Sequence, residues 1–109
     1  MAKPIVFHPV YARLTGSLQA GLMLSHAVAQ PAAGFYKNAE EWEDESTLTY
    51  SNQKTGRKRL TEVSNGAALP FWSETLKGIP ARLYFVVDVP ALNDCVILFM
   101  QAEKALRCK

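Results

Sequence analysis

The sequence predicts an α+β fold, with a group of helices, then a β-hairpin, then a last helix, all in one domain. Three observations predict it. Apolar residues recur at helical spacing from Ser17 to Ser64 and again after Asp88, yet alternate with period two between Leu69 and Asp88. Pro31, Asn65-Gly66 and Lys77-Gly78-Ile79-Pro80 fall between these stretches as breakers and turn signals. The 109 residues, 49% hydrophobic and 20% charged, suit one globular domain and exclude a disordered or fibrous chain. A chain of that size buries roughly two-thirds of its unfolded surface, enough for one modest core.

The first helix is expected from Ser17, a good N-cap, to about Gln30, where Pro31 stops it. Leu18, Ala20, Leu22, Met23, Leu24, Ala27 and Val28 make it apolar nearly all round, as suits the middle of a core. Gly34 then opens a short extended piece, Phe35-Tyr36-Lys37, whose aromatics fit a strand. Asn38 and Glu41 form a capping-box pair for a short acidic helix, with Trp42 as its anchor beside Ala39 and Ser46.

Leu48 enters a tight turn, and Thr49 caps a third helix running to about Ser64 and ending in a left-handed Asn65-Gly66. Its inward side is Gly56, Leu60 and Val63; Tyr50, Ser51, Lys54, Arg57, Lys58 and Thr61 lie outward at spacings of three and four. Leu69 to Leu76 and Ala81 to Asp88 read as hairpin strands, in which Leu83, Phe85 and Val87 alternate with Arg82, Tyr84 and Val86. Asp88 caps the final helix, with Pro90 in its first turn and Leu92, Cys95, Val96, Phe99 and Leu106 as its apolar stripe.

Three helices followed by a two-stranded ribbon describe a winged helix-turn-helix, with Leu48-Thr49-Tyr50-Ser51 as the turn between its second and third helices. Residues 1–109 then form a single winged-helix domain with its body at 15–88 and an added C-terminal helix at about 89–106.

Three stretches carry a family resemblance. They are Gly16-Ser17-Leu18-Gln19-Ala20-Gly21-Leu22-Met23-Leu24-Ser25-His26; then Gly34-Phe35-Tyr36-Lys37, Glu40-Glu41-Trp42, Leu48-Thr49 and Gln53-Lys54-Thr55-Gly56-Arg57-Lys58-Arg59-Leu60; then Lys77-Gly78-Ile79-Pro80-Ala81-Arg82-Leu83-Tyr84. In order and spacing they resemble the N-terminal winged-helix domain of phage and plasmid replication initiators, over about residues 15–88. Gly56 stands where that family usually has Ala. The resemblance implies binding of double-stranded DNA, at an origin or operator, in replication initiation or its control.

Charge distribution points the same way. The net charge of +2 is too small to argue for a polyanion. Five acids and no base lie between Ala39 and Tyr50, and six bases against two acids follow from Ser51 to Arg82, so a basic face beside an acidic flank is expected. A helix fits the major groove, its early exposed residues reaching base edges while cations meet phosphates. Tyr50, Ser51 and Lys54 are the candidate base-facing residues, Gln53 is a further DNA-binding candidate, Arg57 and Lys58 follow a turn later, and Lys77 and Arg82 bring charge from the wing. The bland alternative is a solvated basic helix. The acidic run Glu40 to Glu45 reads as a solvated helix start favoured by the helix dipole.

Other residues read as structural. His8 and His26 lack carboxylate or cysteine neighbours at metal spacing, so no metal and no cofactor are expected. Cys95 reads as a small buried hydrophobe, and Cys108 falls in the terminal tail. Trp42 and Phe71 read as core aromatics, whereas Trp72 and Tyr84 fit either core or base stacking. No nucleophile–base set, phosphate loop or His-Glu-x-x-His occurs, so catalysis and a small-molecule substrate are not expected. The apolar runs are too short to span a bilayer, and the opening residues have no signal-peptide pattern, which predicts a cytoplasmic protein. Ile97 and Met100 leave the main stripe of the last helix. They mark a homodimer seam, a protein–protein interaction module that binds no nucleic acid, or extra core beneath the first helix.

Overall fold

A computed structural model describes residues 7–31, 34–67 and 69–107. The opening segment and Cys108 lie outside these. The fold is α+β, with five helices and a three-stranded antiparallel sheet among the described residues. The helices are α1 (Pro9–Thr15), α2 (Leu18–Ala27), α3 (Ala39–Ser46), α4 (Tyr50–Asn65) and α5 (Val89–Arg107); the strands are β1 (Phe35–Tyr36), β2 (Trp72–Lys77) and β3 (Arg82–Val87). None of these helices is long and apolar enough to cross a membrane.

Helix α1 is an addition to the sequence reading, which begins the helices at Ser17. Pro9 sits in its first turn, where a missing N–H costs nothing, and the buried Thr15 hydroxyl donates back to the Tyr11 carbonyl at 2.8 Å. Gly16, at φ 68°, turns the chain sharply into α2, which Ser17 caps through the Ala20 amide. The two helices touch backbone to backbone: a Cβ on Gly21 would lie 2.7 Å from the Ala12 Cα. Helix α2 ends at Ala27, three residues short of the expected Gln30, its last polypeptide turns closing on Ala27 and His26 carbonyls.

Helix α4 crosses α2 at Gly56, where a Cβ would meet Met23 Sδ at 2.8 Å and the Gln19 carbonyl carbon at 3.2 Å. Glycine's cost inside a helix is offset here by closer packing of two helices. Two expectations about helix ends are corrected. Gly66 has φ −85°, in the right-handed region, whereas Thr47, closing α3, is left-handed at φ 62°, as Gly16 is at the end of α1. The link between α3 and α4 is thus Thr47-Leu48-Thr49, and Tyr50 and Ser51 already belong to the first turn of α4.

The sheet runs in the order β1-β3-β2, with Phe35 opposite Phe85, Tyr36 opposite Tyr84, and Lys77 opposite Arg82. Its inward face carries Phe35, Phe85, Trp72 and Val87, all buried. Tyr36, Tyr84, Lys77 and Arg82 alternate with these and occupy the outer face. The strands are shorter than expected, and the turn is Gly78-Ile79-Pro80-Ala81 with Gly78 at φ 88°. Ser64 locks the end of α4 to β2, its hydroxyl accepting from the Phe71 and Trp72 amides at 2.9 and 3.0 Å. Trp42 is the aromatic hub, 1% exposed and edge-on to Phe85 at 5.5 Å. Phe71 and Trp72 are both core. Asp88 caps α5 through the Ala91 amide, and Ala91 and Leu92 are buried beneath the body.

Candidate nucleic-acid interface

The outward surface of α4 and the end of the β2–β3 hairpin hold the predicted DNA-facing residues, and the structure sorts them into two groups. Thr49 caps α4 through the Asn52 amide, which leaves Tyr50, Ser51 and Lys54 exposed along the first turn. The Lys54 ammonium lies 5.4 Å from the centre of the Tyr50 ring. One turn on, Lys58 is exposed as well. Across the hairpin, Lys77 sits 5.4 Å from the Tyr84 ring and Arg82 5.2 Å from the Tyr36 ring, and the two tyrosines are 5.9 Å apart. Stacking on an aromatic face holds a cation in place without cancelling its charge. Among the described residues, Lys54, Lys58, Lys77 and Arg82 have no carboxylate within 4 Å.

Two predicted contacts are corrected. Gln53 is 4% exposed, and its amide nitrogen donates to the Ala39 and Leu48 carbonyls, each at 2.9 Å. It ties the start of α3 and the interhelical turn to α4, and has no donor left for a base. Its spacing to Gly56, Leu60 and Ser64 puts all four on the buried stripe, a signal the sequence already carried. Arg57 is the second. Its Nε donates to Glu74 Oε1 at 2.5 Å, and the guanidinium rests 5.9 Å from the Phe85 ring. Glu74 Oε2 also accepts from Thr61 and from the Trp72 indole at 3.3 and 3.1 Å. Arg57 is therefore a clamp between α4 and β2, not a free phosphate contact. Sequence reading gave Glu74 no role, although period two puts it on the strand face shared with Trp72.

Two clefts flank the outward side of α4. One, of about 260 Å³, brings Tyr50 and Lys54 of α4 together with Tyr36 and Arg82 of the sheet. The other, of about 340 Å³, lies between α4 and β2 and is lined by Lys54, Arg57 and Lys58 against Glu62 and Glu74. Lys54 lines both. A helix and a ribbon far apart in sequence thus present their charge to one region.

Behind this surface lies a second charged group that sequence reading missed. Lys37 is 7% exposed; it pairs with Glu45 of α3 and donates to His26 Nε2 at 2.6 Å. Burial lowers the lysine's pKa, and the charge of Glu41 opposes that shift. His26 is pushed down to about 4, first by burial and then by the Lys37 charge, so the imidazole is neutral and accepts the lysine's proton in a hydrogen bond. Glu41 closes the capping box with Asn38, while Glu40, Glu43 and Asp44 face solvent. Among the described residues, no group of three or more His, Cys, Asp or Glu side chains is placed to hold a metal ion. Ile97 and Met100 stand half-exposed, at 52% and 51%. Neither is core.

Comparison with protein-family models, with curated proteins and with solved structures gave no match to this chain.

Proposed function

We propose that this chain is a winged helix-turn-helix that binds double-stranded DNA. Helix α4 enters the major groove with Tyr50, Ser51 and Lys54 toward base edges and Lys58 toward a phosphate. The hairpin is the wing, and brings Lys77 and Arg82 to the backbone or the minor groove. The observation that carries this reading is the shared cleft in which Lys54 and Arg82 converge from different elements, neither neutralised by a carboxylate. Polyelectrolyte binding needs uncompensated cations on one surface, and that surface has them. The resemblance of residues 15–88 to replication-initiator domains supports a role at an origin or operator, in phage or plasmid replication or its control.

Fluorescence anisotropy with a labelled mixed-sequence duplex tests the reading. With Lys58, Lys77 and Arg82 on phosphates, log affinity falls against log salt with a slope of about −2 to −3. Lys58→Ala lowers affinity for all duplexes alike and makes the slope shallower by about 1, whereas Ser51→Ala changes the preference between sequences. Absent or salt-insensitive binding overturns the proposal.

A further inference from the structure

Helix α5 changes character along its length. Its first turns bury Ala91 and Leu92, but further on Ile97, Leu98, Met100 and Leu106 are 52%, 60%, 51% and 71% exposed. A monomer in water rarely keeps so many large apolar side chains uncovered on one helix. Leu69, itself 59% exposed, lies with Ala91, Cys95, Ile97 and Leu98 around an apolar groove of about 580 Å³ between α5 and the segment after α4.

The charges that bracket this apolar stretch say what covers it. Asp94 and Lys104 are exposed, and among the described residues neither has an oppositely charged partner within 4 Å. They stand at equal distances on either side of Phe99, and Ile97 and Gln101 are spaced evenly about the same centre. On a helical wheel, Asp94, Ile97, Leu98, Gln101 and Ala105 share the side opposite the buried Leu92, and Lys104 stands at the edge of that side, about 80° round from Asp94, in a cleft with Arg13 and Met100. Closed dimers use one patch twice, so a stripe that is acidic at one end and basic at the other complements itself only when reversed. A parallel pairing would instead set Asp94 against Asp94 and Lys104 against Lys104.

We propose that two copies of this chain associate through antiparallel α5 helices, about a two-fold axis at the level of Phe99. The Asp94 of each copy faces the Lys104 of the other, with Ile97 and Leu98 of both copies packed between. This inference stands apart from the DNA reading: α4 contributes nothing to the seam, and the dimer is measured without nucleic acid.

Sedimentation equilibrium from about 1 μM to 1 mM chain tests it, with far-UV circular dichroism to verify folding. The wild-type chain is expected to dimerise in that range. The double change Ile97→Glu with Leu98→Glu yields a folded monomer, because both positions are solvent-facing within one copy. Asp94→Lys alone, or Lys104→Glu alone, weakens self-association by about tenfold or more, since each places two like-charged pairs in the seam. Mixing the Asp94→Lys chain with the Lys104→Glu chain restores association as a heterodimer, while the single variants report the register, because a parallel seam already sets like charges together and neither single change would add to them. A wild-type chain that stays monomeric throughout, single variants that dimerise normally, or a mixture that fails to associate would each overturn the proposal.

Discussion

Lys37 and Lys54 line the same cleft and meet opposite fates. Lys37 is buried, and its ammonium is spent on Glu45 and His26. Lys54 is exposed and rests on the Tyr50 ring with no carboxylate in reach among the described residues. An ammonium moved out of water must be paired, so the buried group of Lys37, Glu45 and His26 between α2 and α3 is electrically closed. One left in water needs no partner, so the surface of α4 and the hairpin keeps its charge. Arg57 stands at the boundary. It lies on the outward side of α4, yet it is drawn down onto Glu74 and belongs energetically with the closed region.

That boundary can be broken. Glu74→Ala removes the shared acceptor of Arg57, Thr61 and Trp72, and leaves a partly buried guanidinium and an indole N–H unpaired. Destabilisation of about 3 kcal/mol is expected in urea unfolding. Because the change also frees Arg57, duplex affinity of the folded fraction should not fall, which separates the clamp from the interface.

The closed region has a pH signature of its own. The His26 pKa falls from its ordinary 6.5 in the unfolded chain to about 4 in the folded one, so the unfolded state holds more protons between those values. Its contribution is intact above pH 6.5 and is lost as the pH falls through about 4, to the extent of about 3 kcal/mol. Lys37 and Glu45 are the charged groups that face it, from the end of β1 and from α3. Replacing the imidazole by an amide in His26→Gln should flatten that part of the stability profile relative to the wild type, with thermal melts at closely spaced pH values as the measurement.

The smallest effect expected concerns the turn that joins the two regions. Thr47 closes α3 with φ 62°, where a β-branched residue is disfavoured. Thr47→Gly relieves that conformation and should raise stability by about 0.5 kcal/mol, the gain being reduced by the greater freedom of glycine in the unfolded chain. A loss of stability would mean that the Thr47 hydroxyl, bonded to the Ser46 carbonyl at 2.6 Å, matters more than the strain.

Much of the fold was legible because its signals are local. Ser17, Asn38, Thr49 and Asp88 each cap the helix that follows, as their side chains dictate, and Trp42 anchors α3 from its spacing to Ala39 and Ser46. Helix α1 escaped because seven residues opened by Pro9 carry too few apolar repeats to register a period. Gln53 was legible and misread: its place on the Gly56–Leu60–Ser64 stripe outranks its polarity.

What the amino-acid order determined alone was where the capped helices begin, which faces are apolar, and that positive charge clusters after Ser51. Only the folded chain decided which of those charges stay uncompensated. Arg57 is paired by a carboxylate 17 residues away on another element, and Lys37 is held by one helix before it and another after it. Electrostatic partnership depends on distance through space and on access to water, and both are set when helices and sheet close on one another rather than by neighbours along the chain.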